Sequence, residues 1–316
     1  MKSIYISSVG GDIAQSIIGI ISKTFVSITI FGSDVNDDQP GYFLVDHFEV
    51  SPHAKDSNFF YWLTQFLRKN LIDYYIPINE IELRALASIS ENELNKVLGS
   101  CSIIWAGRNA VNLFGDKCLT SKFLAEIGVN TPLVYEDLGE IQDSDFPLIV
   151  KPSFGSGSKG IFRCDSKHEL EGSLLLVPRP IIQKFIGDND QEFTAGVFRK
   201  SSGETKVIIF RRTLVGGATG WAEVCQNIEM ERICIKIASA VNLSGSINVQ
   251  FRFDKGAPSV FEINGRLSST VYMRHLIGFE DLIWSLGLTE SFSSFNSKQC
   301  VGRVLYRLNQ FQISAQ

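Results

Sequence analysis

The sequence predicts an α/β domain built on a parallel sheet, followed by an α+β body. Two observations carry this. Strand-like and helical patterns alternate through the first hundred residues, the signature of parallel strands joined by helical crossovers. From Pro147 onward the chain is instead rich in closely spaced strand patterns with only two helical pieces. At about 100–200 residues per domain, 316 residues fit two or three such units.

The first element is Ser3–Val9, alternating like a strand and running into Gly10-Gly11-Asp12. Ile13, Ile17, Ile18, Ile20 and Ile21 then recur at helical spacing, giving strand, glycine turn and helix. A second strand pattern covers Val26–Phe31 and stops at Gly32-Ser33-Asp34. A helix over Asn58–Lys69 precedes the strand-like Asp73–Pro77, and Ile103–Ala106 reads as a further strand. The helix over Asp116–Ile127 ends at Gly128 ahead of Pro132. Strand patterns follow at Leu148–Lys151, Gly160–Cys164, Ile181–Phe185, Phe193–Phe198, Val207–Phe210, Ile247–Phe253 and Ser259–Ile263. Helical patterns interrupt them at Lys167–Leu175 and Glu229–Val241. No internal repeat or low-complexity tract is present.

Composition narrows the function classes. Thirty Lys and Arg against 34 Asp and Glu give a net charge of -4, which lacks the basic excess of a nucleic-acid binder. No run of 18 apolar residues predicts a membrane span, and Asp12 and Gln15 interrupt the first apolar stretch. A soluble, cytoplasmic protein is expected. The six cysteines, far apart and without a C-x-x-C pair, are expected to be buried reduced thiols.

Two segments carry chemistry. In Leu148–Gly160 a strand delivers Lys151 to a loop containing Gly155, Gly157 and Gly160, where backbone N–H groups can turn toward an anion. The loop is not a P-loop, because a strand pattern and not a helix follows the glycines. Taken alone it fits a hairpin turn equally well. In Ile247–Arg266 two strands join at Asp254–Pro258. Period-2 alternation sets Asn248 and Gln250 on one face, and Glu262, Asn264 and Arg266 on one face of the second strand. Val249, Phe251, Phe261 and Ile263 fall on the opposite, apolar face. Gln250, Glu262 and Asn264 offer the hard oxygen donors Mg²⁺ prefers, and Arg266 a planar fork for a phosphoryl group or carboxylate.

Together these segments resemble the ATP-grasp superfamily, in particular the carbamoyl-phosphate-synthetase-like branch of carboxylate–amine ligases. The resemblance also takes in Gly10–Ile17, Pro77-Ile-Asn-Glu80, Gly115-Asp116-Lys117 with Thr120, Lys122 and Phe123, Gly128-Val-Asn-Thr-Pro132, and Ile182–Ile186 with Glu192. It implies a pre-ATP-grasp, Rossmann-like parallel sheet domain over residues 1–112. A two-part ATP-grasp domain would follow, with a small lid subdomain over 113–182 and a catalytic subdomain over 183–316. By the same resemblance Lys117 and Lys151 contact ATP phosphates, and the loop bearing Ser153, Gly155, Ser156, Gly157 and Gly160 closes over them. Gln183, Lys184, Phe185 and Ile186 form the edge that hydrogen-bonds adenine through backbone groups, with Glu192 on the ribose hydroxyls. Glu262 would bridge two Mg²⁺ ions, with Gln250 and Asn264 each completing one site; Mn²⁺ is the other ion such a site accepts. Gln183 and Gln250 stand where many members carry acids, so metal binding should depend heavily on the nucleotide's phosphates.

The implied reaction joins a small-molecule carboxylate to an amine through an acylphosphate, with Arg266 and Lys151 catalytic and ADP and phosphate released. A homodimer is compatible with it; a nucleic-acid or membrane partner is not expected. The alternatives are a carboxyphosphate or carbamate kinase, a nucleotide-binding module without turnover, and a dinucleotide-dependent reductase. The last is disfavoured because the Gly10-Gly11 turn lacks a third glycine at the required spacing. Asp116 reads as a helix N-cap, and His47, His53, His168 and His275 have no triad partners nearby in sequence. Arg211-Arg212 and Arg274 fit either a structural role or an anionic substrate. Lys117, Lys151, Arg211 and Arg266 are expected to gather around the nucleotide.

Overall fold

Ile4, Tyr5 and Ile6 are each fully buried, as the centre of a sheet covered on both faces requires. The computed structural model describes residues 2–155, 160–187 and 192–308, and in it this run is the middle of the first of three sheets. That sheet comprises β1 (Lys2–Ser7), β2 (Ile28–Asp34), β3 (His47–Val50), β4 (Tyr74–Ile76) and β5 (Ser102–Ile103). They lie in the order β3-β2-β1-β4-β5, all parallel. The order reverses beside β1, so the Gly10-Gly11 turn leaving β1 sits at the switch point where open parallel sheets place their ligands. Gly41 passes so close to this turn that a Cβ there would lie 2.1 Å from the Val9 carbonyl oxygen.

Helix α1 (Asp12–Thr24) buries its isoleucine stripe, and α2 (Phe59–Lys69) covers the other face with Leu63, Phe66 and Leu67. Apolar periodicity passed over five α-helices among the described residues, beginning with α3 (Glu80–Ser88) and α4 (Glu91–Leu98). The starts of these two are nonetheless written in the sequence: Asn79 caps α3, and Ser90 with Glu93 forms a capping box on α4. Helices α5 (Arg108–Phe114) and α6 (Lys117–Glu126) lead onward, and Asp116 caps α6 as expected, accepting from the Cys118 and Leu119 amides.

The second sheet is antiparallel, in the order β6-β9-β7-β8, from β6 (Val134–Tyr135), β7 (Leu148–Pro152), β8 (Phe162–Cys164) and β9 (Pro180–Lys184), with α7 (Lys167–Leu176) packed on it. The third contains β10 (Glu192–Arg199), β11 (Thr205–Val215), β12 (Ala218–Cys225), β13 (Gly245–Asp254), β14 (Ala257–Asn264) and β15 (Val304–Tyr306), in the order β14-β13-β10-β11-β12-β15. One face packs α8 (Ile228–Ala240) through Met230, Cys234, Ile237 and Ala238 against Ala195, Val197, Val249 and Phe251.

The last helices, α9 (Val271–Leu276) and α10 (Asp281–Leu286), return to the first sheet domain. Val271, Leu282, Ile283 and Leu286 share a core with Ile17, Ile20 and Ile21 of α1. Residues distant in sequence thereby close one side of the molecule. All six cysteines are unpaired; Cys101, Cys164, Cys234 and Cys300 are buried, but Cys118 and Cys225 are only half-buried, a correction to the uniform burial expected. Among the described residues no helix is long and apolar enough to cross a membrane.

Candidate active site

A cavity of about 820 Å³ is lined by both antiparallel sheets, by the start of α1 and by the loop after β14. Six basic residues (Lys151, Arg163, Lys184, Arg212, Arg252, Arg266) and three acidic ones (Asp12, Glu192, Glu262) line it. The local excess of positive charge, inside a chain of net charge -4, suits an anionic ligand.

Its floor is the β13–β14 hairpin. Asn248 pairs with Asn264 and Gln250 with Glu262 across the antiparallel register, so all four side chains emerge on the cavity face. Beyond this point the register shifts, Phe251 facing Val260, and Phe261 is the extra residue of a bulge. The apolar face is therefore Val249, Phe251, Val260 and Ile263, all in the core. Phe261, expected there by strict alternation, lines the cavity instead. The bulge re-aims one aromatic ring from core to site.

The side chains of Glu262 and Asn264 form no hydrogen bond or ion pair with other described residues, so their oxygens are available. Gln250 differs: its Oε1 accepts from Arg212 Nη2 at 2.7 Å. No three His, Cys, Asp or Glu side chains gather anywhere among the described residues. The donor set is one free carboxylate and one free amide oxygen, with a second amide oxygen shared with a guanidinium. That set fits a hard divalent cation which takes most of its ligands from phosphate and water.

Lys151 stands on β7 with 4% of its surface exposed, its Nζ 3.3 Å from the Phe261 carbonyl. Burial pulls its pKa down to about 8; Glu262 opposes this, while Lys117 and Arg252 reinforce it. Lys117 opens α6 beside the glycine loop: its Nζ donates to the Gly155 carbonyl at 2.7 Å and its backbone N–H to Ser153 O at 3.0 Å. Gly155 (φ 128°) and Gly160 (φ 68°) adopt conformations that favour glycine. Ser156 and Gly157 lie outside the described residues. Ser153 Oγ is 3.5 Å from Cys118 Sγ. Lys117, Ser153 and Gly155 thus cluster together, and neither they nor Gly160 line the cavity.

Gln183, Lys184, Phe185 and Ile186 line the opposite wall. The Lys184 and Phe185 N–H groups are already committed, to Leu133 O at 2.8 Å and Pro147 O at 3.1 Å. Phe185 lies between two guanidinium groups, Arg163 at 4.7 Å and Arg252 at 5.3 Å from its ring centre.

Glu192 is the most heavily engaged acid. Its Oε1 accepts from Arg212 Nε (3.0 Å) and Nη2 (2.6 Å), and its Oε2 from Arg252 Nη2 (2.9 Å). Burial raises its pKa, but Arg212 and the bonds from both arginines outweigh this and hold it below the ordinary value. β11 separates the two arginines the sequence presented as a pair. Arg212 turns in to Glu192, Gln250 and Thr219, whereas Arg211 turns out to Glu223, contrary to the expectation that it joins the cavity.

Arg266 donates from Nη2 to Glu80 Oε1 at 2.9 Å, linking the hairpin to the head of α3 on the first sheet domain. The Pro77–Glu80 segment therefore positions a cavity guanidinium. Arg274 is fully buried against Asp281 and His275 lies beside Glu280; neither lines the cavity. Sequence reasoning missed Arg252, although its two-residue spacing from Gln250 signalled the shared face. It also missed Asp12, Ser268 and Ser269, which no local pattern marks, whereas the Gly216-Gly217 turn beside Arg211-Arg212, which the sequence offers as either a plain turn or an anion-binding element, does line the cavity.

Residues 114–270 match the family described as an ATP-grasp domain. A D-alanine–D-alanine ligase of Fusobacterium nucleatum is 35% identical over 94 residues, 29% of this chain and 31% of the relative. A carbamoyl phosphate synthase large chain of Thermoanaerobacter is 27% identical over 199 residues, 55% of this chain and 18% of the relative. The chain matches less than a third of either relative's length. Among solved structures, N5-carboxyaminoimidazole synthetase from Staphylococcus aureus complexed with ADP superposes with a TM-score of 0.69 at 18% identity, covering 90% of this chain and 76% of that one.

Proposed function

Residues 114–270 are an ATP-grasp domain, and from that premise we propose that the protein is an ATP-dependent carboxylate–amine ligase that works through an acylphosphate. The chain is divided for this task as 1–112, a sheet domain; 113–182, a lid with the glycine loop; and 183–316, a catalytic body. The observation that carries the reading is one cavity in which a buried lysine, an unengaged Glu262–Asn264 pair and a braced Arg266 converge. Supporting it, one relative is a D-alanine–D-alanine ligase and another a carbamoyl phosphate synthase large chain.

A carboxylate resists attack by an amine because its oxide is a poor leaving group. In the proposed reaction a carboxylate oxygen attacks the γ-phosphorus of ATP, the bond to the β-γ bridging oxygen breaks, and ADP leaves. The amine then attacks the acyl carbon, phosphate departs with the electrons of the C–O bond, and the amine loses a proton. The protein's contribution is positioning and charge neutralisation. Lys151 and Lys117 hold the phosphates, and the loop around Ser153–Gly160 covers them. The 183–186 wall holds the base, with Phe261 and the guanidinium-flanked Phe185 as its aromatic surfaces. Glu192 fixes Arg212 and Arg252 around the ribose and, through Arg212, fixes Gln250. Arg266, braced by Glu80, faces the transferring group. Glu262 and Asn264, with Gln250, would hold Mg²⁺, which supplies charge neutralisation at the phosphates.

The test is ADP and phosphate release with panels of carboxylates and amines, including bicarbonate. Lys151→Ala and Glu262→Ala should each abolish turnover while the proteins stay folded. Near-wild-type rates in either variant would refute the site. Release that requires bicarbonate but no amine would point to a carboxyphosphate-forming enzyme instead.

A further inference from the structure

Arg274 lies on α9, outside the cavity, yet its guanidinium is bonded to Ser268, a residue that lines the cavity. It is 0% exposed and pairs with Asp281, itself 1% exposed, through Nη2–Oδ2 at 2.8 Å and Nε–Oδ1 at 3.3 Å. Its aliphatic stem is seated on Gly196, where a Cβ would lie 2.4 Å from Arg274 Cδ. The remaining nitrogen, Nη1, donates to Ser268 Oγ at 2.8 Å and to Thr270 Oγ1 at 2.6 Å.

A guanidinium can only donate, so both hydroxyl oxygens must accept from it. The two oxygens are themselves 2.9 Å apart, so one hydroxyl donates to the other and one proton is left over. Thr270 is 1% exposed and does not line the cavity; its oxygen's partners among the described residues are Arg274 and Ser268. A leftover proton on Thr270 would be a buried, unsatisfied donor, which is costly. The satisfied arrangement has Thr270 donating to Ser268, and Ser268 lines the cavity two residues beyond Arg266. Its proton is then held for whatever occupies the cavity, on an oxygen polarised by a guanidinium.

We propose that Ser268 is an oxyanion donor at the Arg266 end of the cavity, taking a carboxylate or phosphoryl oxygen, and that Arg274 is the positioning residue that fixes its polarity. The inference rests on the ligase reading, which supplies a ligand that is anionic both before and after phosphoryl transfer.

The test is calorimetric titration of the MgADP-loaded full chain with inorganic phosphate and, separately, with acetate. Ser268→Ala should weaken binding by about 10- to 100-fold, the loss of a hydrogen bond to a charged group, with MgADP affinity unchanged. Loss with phosphate alone assigns Ser268 to the phosphoryl oxygens, and loss with acetate alone to the carboxylate. Thr270→Val keeps Arg274 on Ser268 and the serine proton free, so it should stay within about 2-fold of wild type. Arg274→Lys should weaken oxyanion binding without affecting MgADP, and adding it to Ser268→Ala should cost nothing more, because it acts through that serine. Ser268→Ala and Thr270→Val decide the question even if Arg274→Lys fails to fold. Unchanged binding in Ser268→Ala, equal losses in Ser268→Ala and Thr270→Val, or no saturable binding of either anion by MgADP-loaded wild type overturns the subsite alone. Failure of wild type to bind MgADP overturns the ligase reading beneath it.

Discussion

Glu82→Gln should remove a pH dependence of stability that the fold builds into its first sheet domain. Glu82 is 4% exposed on α3, its carboxylate accepting from the Ser7 hydroxyl at the end of β1 and the Tyr75 hydroxyl of β4. Burial pushes its pKa from 4.5 up to about 7, against the two hydrogen bonds and with help from Asp34. The native protein therefore keeps this proton between pH 4.5 and 7, where the unfolded chain has lost it. The stability so gained is complete below the unfolded value and is lost as pH rises through the native one. At about 1.4 kcal/mol per pH unit the whole effect is about 3 kcal/mol. Urea denaturation of wild type and Glu82→Gln between pH 4 and 8 isolates it. Relative to the variant, wild type should lose about 3 kcal/mol on going up in pH, most of it between 5 and 7. A stability difference that stays constant across that range would refute the reasoning.

Three further outcomes follow from the cavity. Because burial holds Lys151 at about pKa 8, a nucleotide anion bound beside it should restore its proton; calorimetry in buffers of different ionisation enthalpy should show uptake at pH 8.5, little at pH 6.5, and none in Lys151→Met. Glu192→Gln leaves the inward-facing Arg212 and Arg252 short of their shared carboxylate, and should cost about 3–5 kcal/mol in urea denaturation. Phe261→Ala, at a bulge position outside the core, should cost less than about 2 kcal/mol of stability yet weaken ADP binding several-fold, as read by calorimetry; a large stability loss with unchanged ADP affinity would return Phe261 to the core.

Much of this is legible in the sequence. The Ser3–Val9 strand, its glycine turn and the isoleucine helix announce a buried parallel strand, because alternation and 3.6-residue spacing are local consequences of backbone geometry. The face bearing Gln250, Glu262 and Asn264 followed from the same rule. Even α3 and α4, passed over by hydrophobic periodicity, carried their start signals in Asn79 and in the Ser90–Glu93 box. The Phe261 error marks where local reasoning ends: alternation assumes an unbroken ladder, and a bulge is set by how two strands meet.

Sequence by itself determined the ATP-grasp domain, the glycine loop behind Lys151 and the oxygen-rich hairpin, since each is a contiguous stretch whose local geometry its own residues dictate. Only the tertiary structure decided which charges face one another. Glu192 meets Arg212 and Arg252 across three strands, Glu80 braces Arg266 from the head of α3, and Arg274 reaches Ser268 from α9. An ion pair's partner is chosen by packing and the exclusion of water, which act through space and leave no period in the chain.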